Sequence, residues 1–479
     1  MKSSAWCLAL VLILPNFSLA ANDTQSVPIA EVKKTVVLEG VAKDAYLWGY
    51  PLVRFERTKK LMTTTSGYGH APLNHFFHAT RPLTAQDRNV ANPLPDTLYS
   101  SAFLDLRDQP LVLQTPKIKD RYYSLQVYDA FDTNLFIISS RTRGESPGKF
   151  FVTGPHYIGS TPVGFEHIRV PTNFAWINGR IEATSPDQVK SSYKLIRKYD
   201  LKPYAVYLRK QKLAKAPLLK APMTAEMDPR LIANAGIGFF DELGVALREN
   251  EPADLNSAMM ARFRNVNIGA GVRTSRFVTN PENRDSYTRA IAAAEIDMDR
   301  SIKKDLVARR NGWNYILSYD KNVLANPIMR AALSKIYFGQ SNPVESVHPV
   351  TYIDADNIRL NGNTTYILRF AKGTLPPVGA FWSVAPYNAR QKSLVANNLN
   401  RYAIGSYSKN LVYNPDGSLD IYISANEPRG MTQNWLPVPR SNFYVMMNMY
   451  NPTTDILQGK YFLPRVQRMN LSPVLSLNK

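Results

Sequence analysis

One short pattern occurs twice in this chain and constrains its architecture more than any other feature. Residues 122–129 have the sequence Tyr-Tyr-Ser-Leu-Gln-Val-Tyr-Asp, and residues 381–388 have the sequence Phe-Trp-Ser-Val-Ala-Pro-Tyr-Asn. Both contain two aromatic residues, a serine, an aliphatic residue and a tyrosine followed by Asp or Asn. The similarity continues in register to Leu135 and Leu394. A repeat of this kind predicts a duplicated β unit.

The chain is β-rich at first, then helical, then β-rich again. Alternating runs bounded by Pro, Gly and Asp predict strands at 98–106, 111–115, 122–128, 135–139, 150–153 and 174–177. Helical periodicity predicts helices at 35–62, 228–249, 256–266, 280–308 and 327–338. Strand patterns return after Thr351, with a hairpin turn at Pro415-Asp416-Gly417. We therefore predict an α+β multi-domain fold, in which a helical segment separates two β-sandwich or jelly-roll-like units related by duplication.

The first 20 residues have the features of a secretory signal, with Lys2, an apolar run at 8–14 and a small-residue cleavage site ending at Ala20. The only cysteine, Cys7, lies inside this signal, so we expect an exported chain, periplasmic or secreted, without disulfides. The predicted organisation is a signal peptide (1–20), an N-terminal β-rich domain (21–185), a basic linker and helical region (186–345) and a C-terminal β-sandwich domain (346–479).

Basic side chains dominate the charge of the chain, whose formal net charge is +20. They cluster between Lys190 and Lys220, which predicts either a solvated helix and linker face or contact with an acidic polymer or a membrane surface. Nucleic acid is not an expected partner, because the chain is expected to be exported and has no recognised nucleic-acid motif. We expect no cofactor, because the chain has no nucleotide-binding glycine loop and no HExxH motif. A homo-oligomer is compatible with the sequence.

Several motifs resemble a family of unknown function. The segments at 45–51, 74–78, 92–100 and 121–123 are similar to the domain called DUF1254, and those at 381–383, 400–402, 415–417 and 434–439 to its usual companion, DUF1214. Together they cover roughly residues 40 to 465. The resemblance implies β-sandwich-like domains with helices, often in exported bacterial proteins. It implies no particular reaction.

The candidate catalytic residues lie in or near a proline-stiffened loop before the first repeated strand. This loop presents Asn92, Asp96 and Tyr99, and we predict that they converge with His78 and Arg121 around one cavity. Arg121 would bind an anionic group, and His78 or Tyr99 would exchange a proton. Asp96 would orient one of these groups, and Asn92 would contact the substrate. The alternative is that Asn92 and Asp96 cap turns and that His78 is structural.

Further residues are candidates for substrate binding. Strand alternation places Tyr122, Gln126 and Tyr128 on one face of the first repeat, which would line a concave surface or be a solvated sheet face. In the C-terminal half the candidates are Trp382, Arg401, Asn434 and Trp435. Aromatic rings stack on sugars and planar ligands, and arginine pairs with anions, but both residue types also serve as structural material.

Three functional classes are compatible with these residues. The first is a protein that binds or acts on a polar, anionic glycan or small metabolite in a cleft near the N-terminal β domain, with lyase-like or hydrolase-like acid/base chemistry if it is an enzyme. The second is a non-enzymatic envelope or host-interaction scaffold. The third is a metal-dependent enzyme that uses His70, His75 and His78, although their spacing matches no closed metal site, and we assign no metal ligand.

Overall fold

The computed structural model describes residues 29–64, 66–87, 90, 92–218, 231–252, 256–317, 323 and 325–469. The predicted signal peptide lies outside these ranges. Within them, no helix is both long and apolar enough to span a bilayer. The described strands form four sheets, which we name I to IV, and the larger helices form a separate layer.

The strands are β1 (Phe77–His78), β2 (Thr97–Asp105), β3 (Leu111–Thr115), β4 (Tyr123–Asp129), β5 (Asn134–Ser139), β6 (Gly148–Thr153), β7 (Glu166–Arg169), β8 (Phe174–Glu182), β9 (Asp200–Pro203), β10 (Val307–Arg310), β11 (Trp313–Ile316), β12 (Ser346–Val347), β13 (Val350–Thr351), β14 (Tyr366–Phe370), β15 (Trp382–Asn388), β16 (Ile404–Gly405), β17 (Leu419–Ser424), β18 (Trp435–Pro437), β19 (Phe443–Tyr450) and β20 (Val466–Arg468). The α-helices are α1 (Ile29–Thr64), α2 (Ser140–Arg143), α3 (Pro186–Ile196), α4 (Tyr204–Leu208), α5 (Gly238–Glu249), α6 (Ser257–Arg264), α7 (Thr274–Phe277), α8 (Pro281–Ser301), α9 (Pro327–Tyr337) and α10 (Thr454–Leu457).

The N-terminal unit is a β-sandwich. Sheet I has the strand order β1-β2-β8-β4-β5, and sheet II has the order β7-β6-β3-β9. Their inner faces enclose one apolar core, to which β4 contributes Tyr123, Leu125 and Val127, as the predicted alternation requires. The sandwich includes α3 and β9, which follow residue 185.

The C-terminal unit is a second β-sandwich. Sheet III has the order β10-β11-β13-β19-β15-β16, with β12 also beside β19, and sheet IV has the order β18-β17-β14-β20. Between them lies a core that contains Trp382 and Phe370, whose ring centroids are 5.6 Å apart. The predicted α+β fold with two sandwich units is therefore confirmed.

The two copies of the repeat form equivalent strands. In sheet I, β4 lies between β8 and β5, and Ser124 is paired with Arg180 on one side and Ser139 on the other. In sheet III, β15 lies between β19 and β16, and Ser383 is paired with Asn448 and Gly405. This register agrees with the predicted duplication and makes Arg180 and Asn448 equivalent positions.

The helical layer covers part of the outer face of sheet I, the face turned away from sheet II. Helix α1 is its centre and contacts α5, α8 and α9. A Cβ atom at Gly49 would lie only 2.6 Å from the Leu243 side chain, so glycine allows α5 to approach α1 closely. Arg57 of α1 also donates to both carboxylate oxygens of Glu242, at 2.6 and 2.7 Å.

Several predicted boundaries differ from the structure, and two of the differences have a clear physical reason. The helix predicted at 280–308 ends earlier, because residues 302–306 form a π-helical turn and Val307 begins β10. The strand predicted at 174–177 continues through Gly179 to Glu182. A Cβ atom at Gly179 would lie 2.4 Å from Leu125 Cδ2, so this glycine makes room for a core side chain and does not end the strand.

We expect that Trp382→Ala lowers the free energy of unfolding by about 3–5 kcal/mol, because it leaves a large cavity between sheets III and IV. Urea unfolding followed by circular dichroism would measure this loss. The control is Trp435→Ala, for which we expect a smaller effect because Trp435 is partly exposed. Stability like that of the wild type for Trp382→Ala would contradict its assignment to the core.

Candidate functional site

The outer faces of sheets I and III meet in an aromatic interface. Strand alternation on β19 sends Tyr444, Met446 and Tyr450 towards this interface, while Val445, Met447 and Met449 enter the core of the C-terminal sandwich. Tyr122 comes from the other side, and its ring centroid lies 5.0 Å from that of Tyr450. The interface therefore joins the two sandwiches through buried tyrosines.

Asp96 is the polar centre of this interface. Its Oδ2 accepts a hydrogen bond from Ser383 Oγ at 2.5 Å, and its Oδ1 accepts one from Tyr450 OH at 2.9 Å. Ser383 Oγ in turn accepts from Asn448 Nδ2 at 3.0 Å, and Asn448 Oδ1 lies 2.9 Å from His348 Nδ1. A continuous chain of hydrogen bonds thus crosses from the N-terminal loop into sheet III.

Burial shifts the pKa values of the groups at both ends of this chain of hydrogen bonds. It raises the pKa of Asp96, although the hydrogen bonds from Ser383 and Tyr450 oppose the rise. Burial, together with the charge of Arg180, lowers the pKa of His348 to about 3. His348 is therefore neutral at neutral pH, and Nδ1 carries its proton because the amide oxygen of Asn448 only accepts.

Arg180 is a deeply placed cation with two guanidinium nitrogens that have no hydrogen-bond partner. It lies on β8 between Tyr99 and Ser124, with its guanidinium carbon 5.5 Å from the centroid of the Tyr99 ring. Its Nε and Nη1 atoms are both buried and have no hydrogen-bond partner. Among the described residues, no other arginine has two such nitrogens. Because guanidinium stays protonated, Arg180 places an unneutralised charge beside Asp96 and His348.

The side chains around Arg180 lie deep in the molecule but keep some solvent-accessible area. Burial is the leading influence on the pKa values of Tyr99, Tyr337 and His348, and it raises the pKa of each tyrosine. Each of these residues, like Arg180, nevertheless remains partly accessible.

The structure brings six of the sequence-predicted residues to the outer face of sheet I or its border with sheet III: Asn92, Asp96, Tyr99, Tyr122, Gln126 and Tyr128. Asn92 Oδ1 accepts a hydrogen bond from Tyr444 OH. Gln126 Nε2 donates to Ser341 Oγ at 2.8 Å, and Tyr128 OH donates to the carbonyl of Gln340 at 2.6 Å. This face of β4 is buried between domains, so the alternative of a solvated sheet face is wrong.

His78 and Arg121 do not join this group, which corrects the predicted convergence. His78 Nδ1 lies 2.9 Å from Ser100 Oγ, and its ring stacks on Phe76 on the side of sheet I that faces sheet II. Burial and the charge of Arg197 lower the pKa of His78 to about 4. Arg121 Nη1 donates to Ser191 and Ser192 at the N-terminal sandwich's helix α3.

The four C-terminal candidates lie away from Asp96. Trp382 is in the core between sheets III and IV. Asn434 bonds the backbone of Val412 in both directions, with Oδ1 accepting at 3.0 Å and Nδ2 donating at 2.7 Å. Arg401 donates to the carbonyl of Trp435 at 3.0 Å, and Trp435 donates from Nε1 to the backbone. These contacts hold turns and strands of the C-terminal sandwich together.

The predicted histidine cluster does not form a metal site in the part of the chain that the structure describes. Both ring nitrogens of His75 are bonded to carbonyl oxygens, those of Leu73 at 2.8 Å and Ala214 at 2.9 Å. Across the described ranges, no group of three or more His, Cys, Asp and Glu side chains is placed to hold a metal ion.

Sequence reasoning missed Arg180, Ser383, Asn448 and His348. The repeat did contain a signal for Ser383, because Ser124 occupies the same position in the first copy. Arg180 would have been found by continuing the apolar alternation of Ala175 and Ile177 through Gly179 to Ile181. His348 and Asn448 meet only through the pairing of distant strands, so no local pattern marks them.

The fold and its interface define a class of protein with two β-sandwiches that meet across buried tyrosines and are supported by a helical layer. Family models agree with this division, since DUF1254 matches residues 73–203 and DUF1214 matches residues 345–454. Both are described as proteins of unknown function. The chain belongs to the two-domain family that combines DUF1254 with DUF1214.

A solved structure shows the same fold. The chain is similar to the VPA0106 protein from Vibrio parahaemolyticus, with a TM-score of 0.67 and 22% sequence identity over 90% of this chain and 100% of that one. A weaker match is an uncharacterised protein from Burkholderia cenocepacia, with a TM-score of 0.42 and 10% identity over 91% of this chain and 96% of that one. No curated protein matches the sequence.

We expect the pH dependence of stability to change in Asp96→Asn. As pH rises above about 4, an unfolded Asp ionises first, while the buried Asp96 keeps its proton. The stability of the wild type relative to the variant should therefore fall with rising pH until the folded carboxyl also ionises, by at most about 1.4 kcal/mol per pH unit. Urea unfolding of both proteins from pH 4 to 8 would measure this, and a constant difference would contradict the raised pKa.

Proposed function

We propose that this protein binds a small, singly charged carboxylate between its two β-sandwiches, with Arg180 as the partner of the anion. The observation that carries the proposal is the pair of unpaired nitrogens on the Arg180 guanidinium. A buried donor without an acceptor costs about 1–3 kcal/mol, and more when it is charged. An anionic ligand would supply both the acceptor and the opposite charge.

The charges near Arg180 favour a monoanion. His348 is neutral at neutral pH, and burial raises the pKa of Asp96, which favours its neutral form. Arg180 thus contributes one positive charge, which a carboxylate neutralises. A phosphate dianion would leave one negative charge unpaired next to Asp96, and burying such a charge is strongly unfavourable.

The surroundings of Arg180 also suggest the shape of the ligand. Tyr99 and Tyr337 are partly accessible and present flat rings with hydroxyl groups. Such rings suit a planar or ring-shaped body, and their hydroxyls suit a ligand with further polar groups. A small aromatic acid or a sugar acid combines these properties, which narrows the expected class of polar, anionic metabolites or glycans.

We expect Arg180→Met to lower the affinity for such a carboxylate by about 10-fold to 150-fold, which corresponds to ~1.5–3 kcal/mol for hydrogen bonds to a charged group. The variant should be at least as stable as the wild type, because it removes a buried charge that has no acceptor. Titration calorimetry would measure binding, and urea unfolding would measure stability.

The matched control is Arg369→Met. Arg369 donates to both oxygens of Asp420 at 2.6 Å in sheet IV, away from the interface. We expect this variant to lose stability, because it leaves the buried Asp420 unpaired, and to keep its affinity for carboxylates. If Arg180→Met instead destabilised the protein and left binding intact, Arg180 would be structural and the proposal would fail.

Three small molecules test whether the site selects a ligand with a single negative charge. Benzoate carries the proposed carboxylate, benzamide has the same shape without the charge, and inorganic phosphate is a dianion at pH 8. We expect benzoate to bind in the millimolar range or tighter and the other two to bind at least about tenfold more weakly. Equal binding of benzoate and phosphate would contradict the selection of a monoanion.

A further inference from the structure

The outer face of sheet II carries an aromatic cluster built from two separate segments. Phe151 points away from the core of the N-terminal sandwich and is fully buried. Tyr157 and Phe165, from the loop between β6 and β7, pack on it with ring centroids 5.5 and 6.0 Å away. Tyr204 of α4 lies 5.1 Å from the same ring. The loop and α4 are thus fixed on one surface.

Aliphatic side chains project into solvent from this surface. Ile158 and Val163 in the loop are fully exposed, and Leu208 at the end of α4 exposes more than half of its surface. The loop is shaped by its own hydrogen bonds, from Tyr157 OH to the carbonyl of Ser160 at 3.0 Å and from the Phe165 amide to the carbonyl of Pro162 at 3.3 Å. A patch of exposed apolar side chains that is rimmed by polar residues marks an interaction site.

Basic residues continue directly from α4. Arg209, Lys210 and Lys212 are all exposed. The turn that carries them is held by hydrogen bonds from the Lys210 amide to the carbonyl of Tyr207 at 2.9 Å and from Lys202 Nζ to the carbonyl of Gln211 at 3.1 Å. Tyr207 also contacts Phe165, with ring centroids 5.5 Å apart, so the basic turn lies next to the loop.

We propose that this surface docks the protein on a bilayer that contains anionic phospholipid. It is defined by the aliphatic side chains of Ile158, Val163 and Leu208 and by the basic side chains of Arg209, Lys210 and Lys212. Exposed aliphatic side chains enter the boundary between headgroups and acyl chains, and Lys and Arg beside them are attracted to anionic headgroups. The surface lies on sheet II and is separate from Arg180, so this proposal is independent of carboxylate binding.

The combination of features distinguishes a membrane from a soluble polyanion. An acidic polymer would bind Arg209, Lys210 and Lys212 through charge alone, and the aliphatic side chains would contribute nothing. A membrane uses both groups, because the apolar tips are removed from water only when a hydrocarbon phase is present.

Vesicle co-sedimentation of the full-length protein tests the proposal. We expect binding to vesicles of phosphatidylglycerol and phosphatidylcholine, and much weaker binding to phosphatidylcholine alone. Replacing Ile158 and Val163 together by Ser should lower the partition coefficient by about tenfold or more. Replacing Arg209, Lys210 and Lys212 by Gln should have a comparable effect, which shrinks as salt screens the charges.

Matched controls remove the same chemistry elsewhere. Ile296 and Val412 expose 59% and 58% of their surface on other parts of the molecule, and their joint replacement by Ser should leave vesicle binding unchanged. The matching control for charge replaces the exposed Lys303, Lys304 and Arg309 by Gln, and it should also leave vesicle binding unchanged. Circular dichroism would verify that each variant is folded.

Two results would overturn the proposal. One is vesicle binding that is insensitive to Ile158 and Val163 but is lost with the basic residues, together with equal binding to a soluble polyanion such as heparin. That outcome would assign the surface to acidic polymers. The other is the absence of any binding to phosphatidylglycerol vesicles at low salt.

Discussion

Sheet I is buried on both faces, and much of the molecule depends on this constraint. Its inner face packs on sheet II, while its outer face is shared by the helical layer and the C-terminal sandwich. Polar side chains on that outer face cannot turn to bulk water, so each needs a partner within the protein. Gln126 and Asp96 have such partners. Arg180 lacks partners at Nε and Nη1, which singles it out from its neighbours.

Much of the architecture could be predicted from sequence, because it depends on alternation along single strands. Tyr123, Leu125 and Val127 enter the sandwich core, as their spacing requires. The repeated octets occupy equivalent strands, and the proline-stiffened loop does bring Asn92 and Asp96 to a domain boundary. Local patterns of this kind reflect local rules of backbone and side-chain geometry, so they are visible in one sequence.

The rest of the site depends on pairings that no local pattern contains. His78 lies near Asp96 in the sequence, but the pairing of β1 with β2 directs its side chain to the inner face, while Asp96 reaches the C-terminal sandwich. Arg121 donates to a serine of α3, and this contact is equally absent from any local pattern. Aromatic character alone also could not decide whether Trp382 stacks on a ligand or packs in a core, since both environments favour the same side chain.

The contact between Tyr122 and Phe381 has a consequence for the origin of the chain. These residues occupy the same position in the two copies of the repeat, and their rings meet edge to face with centroids 6.3 Å apart. In an isologous dimer, a residue touches its own counterpart only at the two-fold axis. A two-fold relation between the two sandwiches would place this contact at its axis. Fusion into one polypeptide frees each half to change alone, so that one copy can hold Arg180 where the other holds Asn448.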